Sequence, residues 1–422
     1  MSLQVRCLYP ILLRHGSYFQ YRFLRYAPGP AFSLLSADSV PRRYRHVLHG
    51  NSRLSLLELP ADSGLLASAW DRLGIPGRVV PDGCGCTLLY DARYGMFLMD
   101  FRLELALEAP AAGAPATPYL ALQAQLRELL VFDVRVETKP CAWALSLQEQ
   151  GLSVVRAELG KLIDPAMIEV PPSMGYIISA FPNAADVLPD SIRAQVVEHF
   201  HSGDRLADRV PQMAQLPLAV HNGEVFLGWQ SSTLWGIPED TCDELYPVFL
   251  TIQLIYTLYS AYFLAQTEDL FEEIFYYDEE RFRHLQVRTD RMLILVDKTV
   301  HDKDVFESKL RPGPQAVFES LWDYWGMKRM LNACEHSLNS SKRSLEMNIN
   351  IIHEKMGERQ NNLLFILAII QIVAMMGVIN DYLALNDRFE AISIFILAVL
   401  MVVTAVVFVF SYYERIAARF HK

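Results

Sequence analysis

The sequence predicts an α+β cytosolic domain followed by a long stalk helix and a two-helix transmembrane hairpin. Three observations lead to this fold class. Much of the first half alternates apolar and polar residues with the period of two that is typical of strands. After about residue 240 the composition is helical. Near the end, two uncharged apolar segments are long enough to cross a hydrocarbon core.

The two apolar segments are residues 363–379 and residues 391–410. The eleven residues between them, 380–390, are too few for a domain, so we expect a hairpin with both chain ends on one side of the membrane. Basic residues follow the second segment and precede the first, whereas the connecting loop is mostly acidic. By the positive-inside rule the loop faces outward. The first residues lack the features of a signal peptide, so both termini are predicted to be cytosolic. We expect a multi-pass protein of the plasma (inner) membrane.

Composition narrows the class of protein. A net charge of −10 argues against a nucleic-acid partner held by phosphate contacts. The six cysteines lie in the cytosolic part, where thiols stay reduced, and are expected to be free. A metal site at Cys84 and Cys86 is not favoured, because no second pair or histidine follows at zinc-site spacing. No phosphate-binding loop, nucleophile elbow or metalloprotease helix is present, and we predict that the chain is not an enzyme.

The amino-terminal half contains several local signals. Residues 97–107 read as a half-buried strand that forms a hairpin with the preceding segment, and residues 130–136 and 175–181 read as further strands. Asn222 and Gly223 predict a type I′ turn in a hairpin over residues 218–235. Three segments complete this half: a basic group at residues 42–49, read as a solvated edge strand or an anion site, a Pro/Ala linker at residues 109–118, and a capped helix at residues 191–200.

A long apolar segment at residues 244–277 reads as a helix that ends in an acidic run. Its core, residues 247–265, is open to two interpretations: a helix packed inside a soluble domain, or a third membrane span. Tyrosines and small polar residues interrupt it and acids flank it, which favours the packed helix. A second helix at residues 281–309 is expected to return antiparallel to the acidic one. The RPGP sequence at residues 311–314 then breaks the chain.

From residue 315 to residue 379 no proline interrupts the chain, and one continuous helix is predicted. Leucine or isoleucine recurs every seven residues, which is the seam of a helix packed along a parallel neighbour. The apolar row consists of Leu331, Leu338, Leu345 and Ile352. The companion row is polar and consists of Cys334, Ser341, Asn348 and Lys355. A polar companion row favours a bundle around a wet axis, and a poorly packed dimeric stalk is the alternative.

The predicted domains follow from these segments. They are a cytosolic α/β domain (1–240), an antiparallel helix pair with an acidic run (241–312), a cytosolic stalk helix (313–362), a first transmembrane segment (363–379), an outer loop (380–390), a second transmembrane segment (391–410) and a basic cytosolic tail (411–422).

This order of parts resembles the CorA-type divalent-cation (magnesium) channel superfamily. Members of that superfamily carry a Gly-x-Asn signature at the outer end of the first span. Here Gly377 and Asn380 occupy that place but are three residues apart rather than two, so the chain resembles a divergent member. The resemblance covers residues 215–422 well and the first 200 residues loosely. It implies a CorA-like homopentamer whose first span lines a pore and whose Asn380 ring binds hydrated Mg²⁺.

If Asn380 faces the pore, one helix face runs back from it as an apolar throat with a polar ring at each end, which could gate by dewetting. The selectivity and pore residues on this face are Asn380, Gly377, Met376, Val373, Ile369, Ile366 and Asn362. Gln371 is nine residues from Asn380 and lies on the opposite face of an unbroken helix, unless the helix breaks at Gly377. The alternative for Asn380 is a helix C-cap.

Acidic residues complete the predicted site. Asp381, Asp387 and Glu390 form an outer acidic mouth that would concentrate cations. Glu268, Asp269, Glu272 and Glu273 are candidates for a regulatory Mg²⁺ site in the cytosol, although such a run is also typical of a solvated face.

The function predicted from these features is passive conduction of divalent cations, above all Mg²⁺, across a lipid bilayer by a homo-oligomer. Two alternatives remain. One is a ligand-gated membrane effector of the same architecture, whose amino-terminal domain binds a small-molecule regulator and which is not selective for magnesium. The other is a membrane-anchored scaffold that does not conduct.

Overall fold

The computed structural model describes part of the chain. The described residues are 2–13, 33–34, 54–60, 62–73, 78–80, 83–91, 96–106, 119–130, 141–159, 168–169, 175–182, 193–194, 196–197, 217–228, 231–263, 279–384, 397, 400–401 and 404. The chain divides into two compact units, Met1–Leu345 and Glu346–Lys422. The first unit contains the predicted α+β domain.

The described strands form one sheet of eleven strands in the order β2-β3-β5-β6-β1-β8-β11-β10-β9, with β4 paired to β6 and β7 paired to β1. Their bounds are β1 Ser2–Leu13, β2 Ser33–Leu34, β3 Leu54–Leu59, β4 Arg78–Val79, β5 Gly85–Asp91, β6 Met96–Ala106, β7 Ile168–Glu169, β8 Tyr176–Phe181, β9 Leu218–Val220, β10 Gly223–Leu227 and β11 Ser231–Trp235. The predicted strands at residues 97–107 and 175–181 and the hairpin of β5 with β6 are confirmed.

Seven helices are described across the same residues. They are α1 Ser63–Leu73, α2 Tyr119–Leu130, α3 Ala142–Leu159, α4 Glu239–Thr257, α5 Glu279–Glu307, α6 Pro312–Tyr324 and α7 Met327–Ala384. A π-helical segment, Leu258–Phe263, extends α4. The predicted helix at residues 281–309 and the chain break at RPGP are confirmed, because α5 ends at Glu307 and α6 begins at Pro312.

The sheet carries helices on both faces. On one face Phe101 meets Trp143 of α3 at a ring-centroid distance of 6.0 Å, and Ser179 accepts a buried hydrogen bond from Gln123 of α2. On the other face Arg6 lies 4.1 Å from the ring centroid of Tyr246 of α4. The main core of the first unit therefore lies in two layers, one on each side of the sheet.

The prediction that residues 97–107 form a half-buried strand is wrong for the first half of β6. Every residue of that strand from Met96 to Phe101 is buried, including Asp100, whose exposure is 0%. The alternation of polar residues persists further on, where Arg102 is half-buried and ion-paired to Glu58 at 2.7 Å. Helices cover both faces at the centre of this sheet. The alternation of polar and apolar residues therefore shows which residues share a face, but it does not predict which face is exposed to solvent.

The hairpin at residues 218–235 is confirmed, but its turn lies one residue earlier than predicted. Val220 pairs with Gly223, so the turn residues are His221 and Asn222, and His221 is the one described non-glycine residue with positive φ, 52°. Gly223 begins β10 instead. A Cβ atom at Gly223 would lie 2.6 Å from the carbonyl oxygen of Trp235 and 2.6 Å from Cγ1 of Ile237. Close packing, not turn geometry, requires this glycine.

The helix α4 is a core element. Thirteen of its residues are buried, and it contacts β1 and α6. Burial on all sides explains its nearly continuous apolar sequence without a membrane, because a helix enclosed by protein is apolar all round. The interpretation as a packed helix is therefore confirmed and the third span is not. The helix begins at Glu239, five residues before the predicted start.

The long helix α5 runs antiparallel to the helices that follow it. Phe306 meets Phe318 of α6 at 5.4 Å between ring centroids, and Asp290 accepts a hydrogen bond of 2.8 Å from Lys342 of α7. Because lower residue numbers in α5 meet higher numbers in α6 and α7, the three form an antiparallel arrangement. Of the predicted acidic run, residues 268–278 lie outside the described residues, and its last two carboxylates, Glu279 and Glu280, begin α5.

The prediction of one continuous helix from residue 315 to residue 379 is wrong at two points. The helix α6 ends at Tyr324, and α7 begins at Met327 after Gly326, whose φ is +60°. At its other end α7 continues to Ala384. The break has a packing cause: Trp325 is 4% exposed, and its Nε1 donates to the carbonyl of Gly228 at 3.4 Å.

Two tyrosines complete the pocket around Trp325. Tyr176 of β8 and Tyr256 of α4 meet its ring in T-shaped contacts, at 5.2 Å and 5.0 Å between centroids. Tyr176 also forms a 2.5 Å hydrogen bond with Ser232 of β11. Complete burial raises the pKa of the Tyr176 hydroxyl far above its usual value, and it stays a neutral hydrogen-bonding group.

As far as Leu345 the heptad seam of α7 is buried within its own chain, contrary to the prediction that it faces a neighbouring chain or a wet axis. Further on, Asn348 and Ile352 are half-buried and Lys355 is exposed. Leu338 and Leu345 are 0% exposed, and Ser341 of the polar companion row is 0% exposed as well. The Ser341 hydroxyl donates to the carbonyl of Ser337 at 3.0 Å, so its own helix satisfies it. A polar row of this kind needs no water.

Other predictions fall partly or wholly on residues that are not described. Leu130, the predicted start of a strand, is the last residue of α2, and the rest of that strand lies outside the described residues. So do the basic group at 42–49 and the linker at 109–118. Of the predicted helix at 191–200, four residues are described and are helical. All six cysteines are free of disulfide bonds, as predicted.

Substitution of Trp325 tests the anchor. Trp325→Phe keeps a ring in the pocket and removes the N–H donor, for an expected loss of about 1 kcal/mol. Trp325→Ala also leaves a cavity, for an expected loss of ~3–5 kcal/mol. Thermal unfolding of the purified protein followed by circular dichroism should give midpoints in the order wild type, Phe, Ala. Equal midpoints for the two variants would show that the ring anchors nothing.

Gly223→Ala tests the close approach of β10 to Trp235 and Ile237. The added methyl meets a backbone carbonyl that cannot move aside, so we expect a loss of ~1–3 kcal/mol and a lower thermal midpoint. Gly357→Ala is the matched control, because no atom lies within 4 Å of its built Cβ and alanine favours a helix by up to about 1 kcal/mol. A midpoint for Gly223→Ala at or above that of wild type would exclude the packing explanation.

Candidate functional site

The carboxyl-terminal part of α7 is the candidate functional segment. By length and composition, one helix among the described residues is able to cross a membrane, and it spans Met327–Val378. Its most apolar 18-residue window has a mean hydropathy of 2.1, and none of that window is buried by the chain. Exposed side chains of this kind include Leu363, Leu367 and Ile370. An uncovered apolar surface of this size is typical of contact with lipid or with other protein.

One stripe of this segment is less exposed than the rest. Phe365, Ile369, Ile372 and Met376 are half-buried, and their spacing of four, three and four residues places them on one helix face. In the second apolar segment the described residues are helical, and Leu400 and Thr404 are half-buried. Both sets belong to the second unit.

The predicted pore face overlaps this stripe only in part. The two sets share Ile369 and Met376, whereas Ile366 and Val373 are 52% and 61% exposed and Asn362 and Gly377 are also exposed. On a helix of 3.6 residues per turn the centres of the two faces differ by roughly 50°. The proposed pore face is therefore largely uncovered within a single chain.

The helix does not break at Gly377. Residues Met327–Ala384 form one helix, so Asn380 lies four residues before its end and the C-cap interpretation is wrong. The side chain of Asn380 lies outside the described residues, and Gln371 is exposed. Because the helix is unbroken, Gln371 and Asn380 are on opposite faces and cannot both line one pore.

Several predicted site residues are not described. Asp381 is helical and exposed, whereas Asp387 and Glu390 of the outer mouth lie outside the described residues. The regulatory candidates Glu268, Asp269, Glu272 and Glu273 also lie outside them. Within the part of the chain that is described, no group of three or more His, Cys, Asp or Glu side chains is placed to hold a metal ion.

A cleft in the first unit was not predicted. It has a volume of about 420 Å³ and lies between α5, α6 and the start of α7. Its charged lining comes from all three helices: Lys303, Asp304 and Glu307 of α5, Glu319 and Asp323 of α6, and Lys328 of α7. The sequence shows these residues only as scattered charges on long helices, so their convergence follows from the antiparallel packing and from the helix break.

Lys303 contacts two carboxylates and one aromatic ring of the cleft. Its Nζ lies 2.5 Å from Glu307 and 3.2 Å from Asp304, and 5.3 Å from the ring centroid of Trp322. Partial burial lowers the pKa of this ammonium, but the hydrogen bonds to Glu307 and Asp304 outweigh burial and raise the pKa above its usual value. Lys303 is therefore a fixed positive charge at neutral pH.

Comparison of the chain with protein-family models, with curated proteins and with solved structures finds no match. The fold and the candidate segment define the class of protein: an α+β protein with a long apolar carboxyl-terminal helix able to cross a membrane.

The continuity of α7 at Gly377 gives a direct test. No atom lies within 4 Å of a Cβ built on Gly377, so Gly377→Ala should be tolerated and should leave the thermal midpoint unchanged or higher, by up to about 1 kcal/mol. Gly377→Pro removes a helical hydrogen bond and should lower stability by ~3 kcal/mol. Thermal unfolding in detergent measures both. Loss of the folded protein in Gly377→Ala would contradict an unbroken, unhindered helix.

Proposed function

We propose that the protein is a membrane channel that conducts divalent cations passively, with Mg²⁺ as the expected ion. The observation that carries this proposal is the uncovered apolar window of α7, of which none is buried by the chain. In a bilayer, lipid and neighbouring copies would cover this surface. The exposed positions Asn362, Ile366 and Val373 lie on the face that would then line a shared axis.

The proposed pore combines two kinds of ring. Asn380 at the outer end and Asn362 at the inner end supply carboxamide oxygens, which accept hydrogen bonds from the water shell that Mg²⁺ sheds reluctantly. Between them Ile366, Ile369, Val373 and Met376 form an apolar throat that gates by dewetting. Asp381, Asp387 and Glu390 at the mouth raise the local concentration of cations.

The proposal includes an assembly and an orientation. A pore lined by one helix from each copy needs a homo-oligomer, and a pentamer is expected. Residues 391–410 form a second span in the plasma (inner) membrane, and both termini lie in the cytosol. The two half-buried residues of that segment, Leu400 and Thr404, support packing of the second span against α7 within each copy.

A second candidate is a ligand-gated membrane effector that is not selective for magnesium. The cleft between α5, α6 and α7 favours it, because a volume of about 420 Å³ is enough for a small regulator. The displaced glycine and asparagine also favour it over a magnesium filter. In this version the same α7 face conducts ions only when a ligand is bound.

Mg²⁺ flux into proteoliposomes of the purified protein tests conduction and the filter together. Asn380→Ala should reduce flux, or selectivity for Mg²⁺ over Na⁺, by about tenfold, the factor that a loss of 1.4 kcal/mol produces. Gln371→Ala is the matched control, since it removes an amide on the opposite face and should leave flux unchanged.

Two results would contradict the proposal. Equal flux in wild type and Asn380→Ala would remove Asn380 from the conduction path. No flux from an assembled oligomer would overturn constitutive conduction and leave the ligand-gated candidate, which predicts that flux appears on addition of a regulator.

A further inference from the structure

The middle of α7 includes a section that is exposed on every side. From residue 353 to residue 364 each residue except Gly357 is exposed, whereas Ile352 before the section and Phe365 after it are half-buried. The section spans about three turns and is helical throughout. It lies wholly within the second unit. Its side chains are therefore accessible to another copy of the chain.

The charged residues of this section are sorted by sign. Glu354 and Glu358 form an acidic stripe, and Lys355 and Arg359 form a basic stripe. Within each stripe the two residues are four apart, so like charges lie side by side and repel. In the described part of the chain Glu354, Glu358 and Arg359 form no ion pair that offsets this repulsion. An isolated helix is stabilised by the opposite arrangement, with unlike charges four residues apart.

The sorting by sign becomes favourable when a second copy of the same helix lies parallel to the first. The acidic stripe of one copy then faces the basic stripe of the next at the same height, because the two stripes together span about one and a half turns. Opposite charges at flanking positions select neighbours between parallel helices in this way. The two stripes are different surfaces, so the contact repeats from copy to copy until a ring closes.

The angle between the stripes sets the size of this ring. Successive residues of an α-helix are about 100° apart, and each basic residue directly follows an acidic one. In a ring of parallel helices each helix meets its two neighbours at the interior angle of a polygon, about 90° for four copies and about 108° for five. The stripes therefore fit a ring of four or five copies.

The residues between the stripes agree with this arrangement. Ile351 and Asn362 lie within roughly 10° of the line that divides the two stripes. Both are exposed, Ile351 at 42%. In a closed ring this line points to the axis, and Asn362 is also the inner polar ring of the proposed pore. The charge pattern and the proposed pore face, which depend on different residues, thus place the same asparagine on the axis.

We propose that the acidic stripe of one copy pairs with the basic stripe of the next, and that these pairs close a homo-oligomeric ring around a shared axis. The inference rests on the homo-oligomer of the proposed function and identifies the residues that close it. The partner is a second copy of this chain, because both complementary stripes belong to one sequence. Each exposed pair contributes little affinity, so the pairs act mainly by selecting the neighbour, and like charges brought together prevent closure.

Charge reversal tests the ring. The number of copies is measured by light scattering after size-exclusion chromatography of the full-length protein in detergent, and wild type should contain four or five. Glu354→Lys/Glu358→Lys makes both stripes basic and should lose the ring. Lys355→Glu/Arg359→Glu makes both stripes acidic and should lose it as well. The variant with all four substitutions exchanges the two stripes and should recover the ring.

Glu346→Lys/Gln360→Lys is the matched control. Both residues are exposed on the side of α7 away from the two stripes, so this variant gains positive charge and should keep the ring. Circular dichroism should show the same helix content in every variant, because all the substituted residues are exposed.

Three results would overturn the ring. They are a wild-type protein with a number of copies other than four or five, a ring that persists in either reversed variant, and failure of the fourfold exchange to restore assembly. Conduction is decided separately. A charge-dependent ring that conducts no Mg²⁺ would overturn conduction and leave this interface standing, whereas a conducting protein whose ring tolerates both reversals would overturn the interface alone.

Discussion

The buried indole of Trp325 ties together elements that are distant in sequence. Its ring packs against Tyr176 of β8 and Tyr256 of α4. Its N–H donates a hydrogen bond to the carbonyl of Gly228, which lies between β10 and β11. The indole can reach this pocket only if α6 ends before it and the chain turns at Gly326. The start of α7 is thereby fixed to the sheet, and with it the register of Leu331, Leu338 and Leu345 in the helical layer.

Local sequence patterns predicted the elements whose signals are local. The alternation in β6, the hairpin at β9 and β10, and the α5 helix with its RPGP boundary follow from period, turn residues and proline. The short apolar run of β8 was also read correctly as a strand. The features that the sequence did not predict depend on tertiary packing. Gly223 looked like a turn residue, yet its missing Cβ makes room for the Trp235 carbonyl, and the Trp325-Gly326 break leaves no local mark beyond one glycine in a helical sequence.

The candidate site also has a part that local sequence predicts and a part that depends on tertiary packing. Hydropathy predicted the membrane segment, and the uncovered window of α7 agrees with it. Which helix face the rest of the unit covers could not be read from the sequence, because Phe365, Ile366 and Ile369 are equally apolar. The cleft was invisible for a different reason: its charges are contributed by three helices, and only the antiparallel packing of α5 against α6 and α7 brings Lys303 beside Trp322. Residues so far apart in sequence carry no shared pattern.

Buried hydroxyls in the helical layer have a mechanical consequence. Thr289 and Thr299 of α5 and Ser341 of α7 are 0% exposed, and each donates to a carbonyl four residues earlier in its own helix. None of them therefore needs a hydrogen-bond acceptor on a neighbouring helix. If α5 slid along α7 by part of a turn, these donors would remain satisfied, and the resistance from them would be limited to side-chain packing. Sliding of α5 along α7 would therefore leave each of these three buried hydroxyls with its hydrogen-bond acceptor.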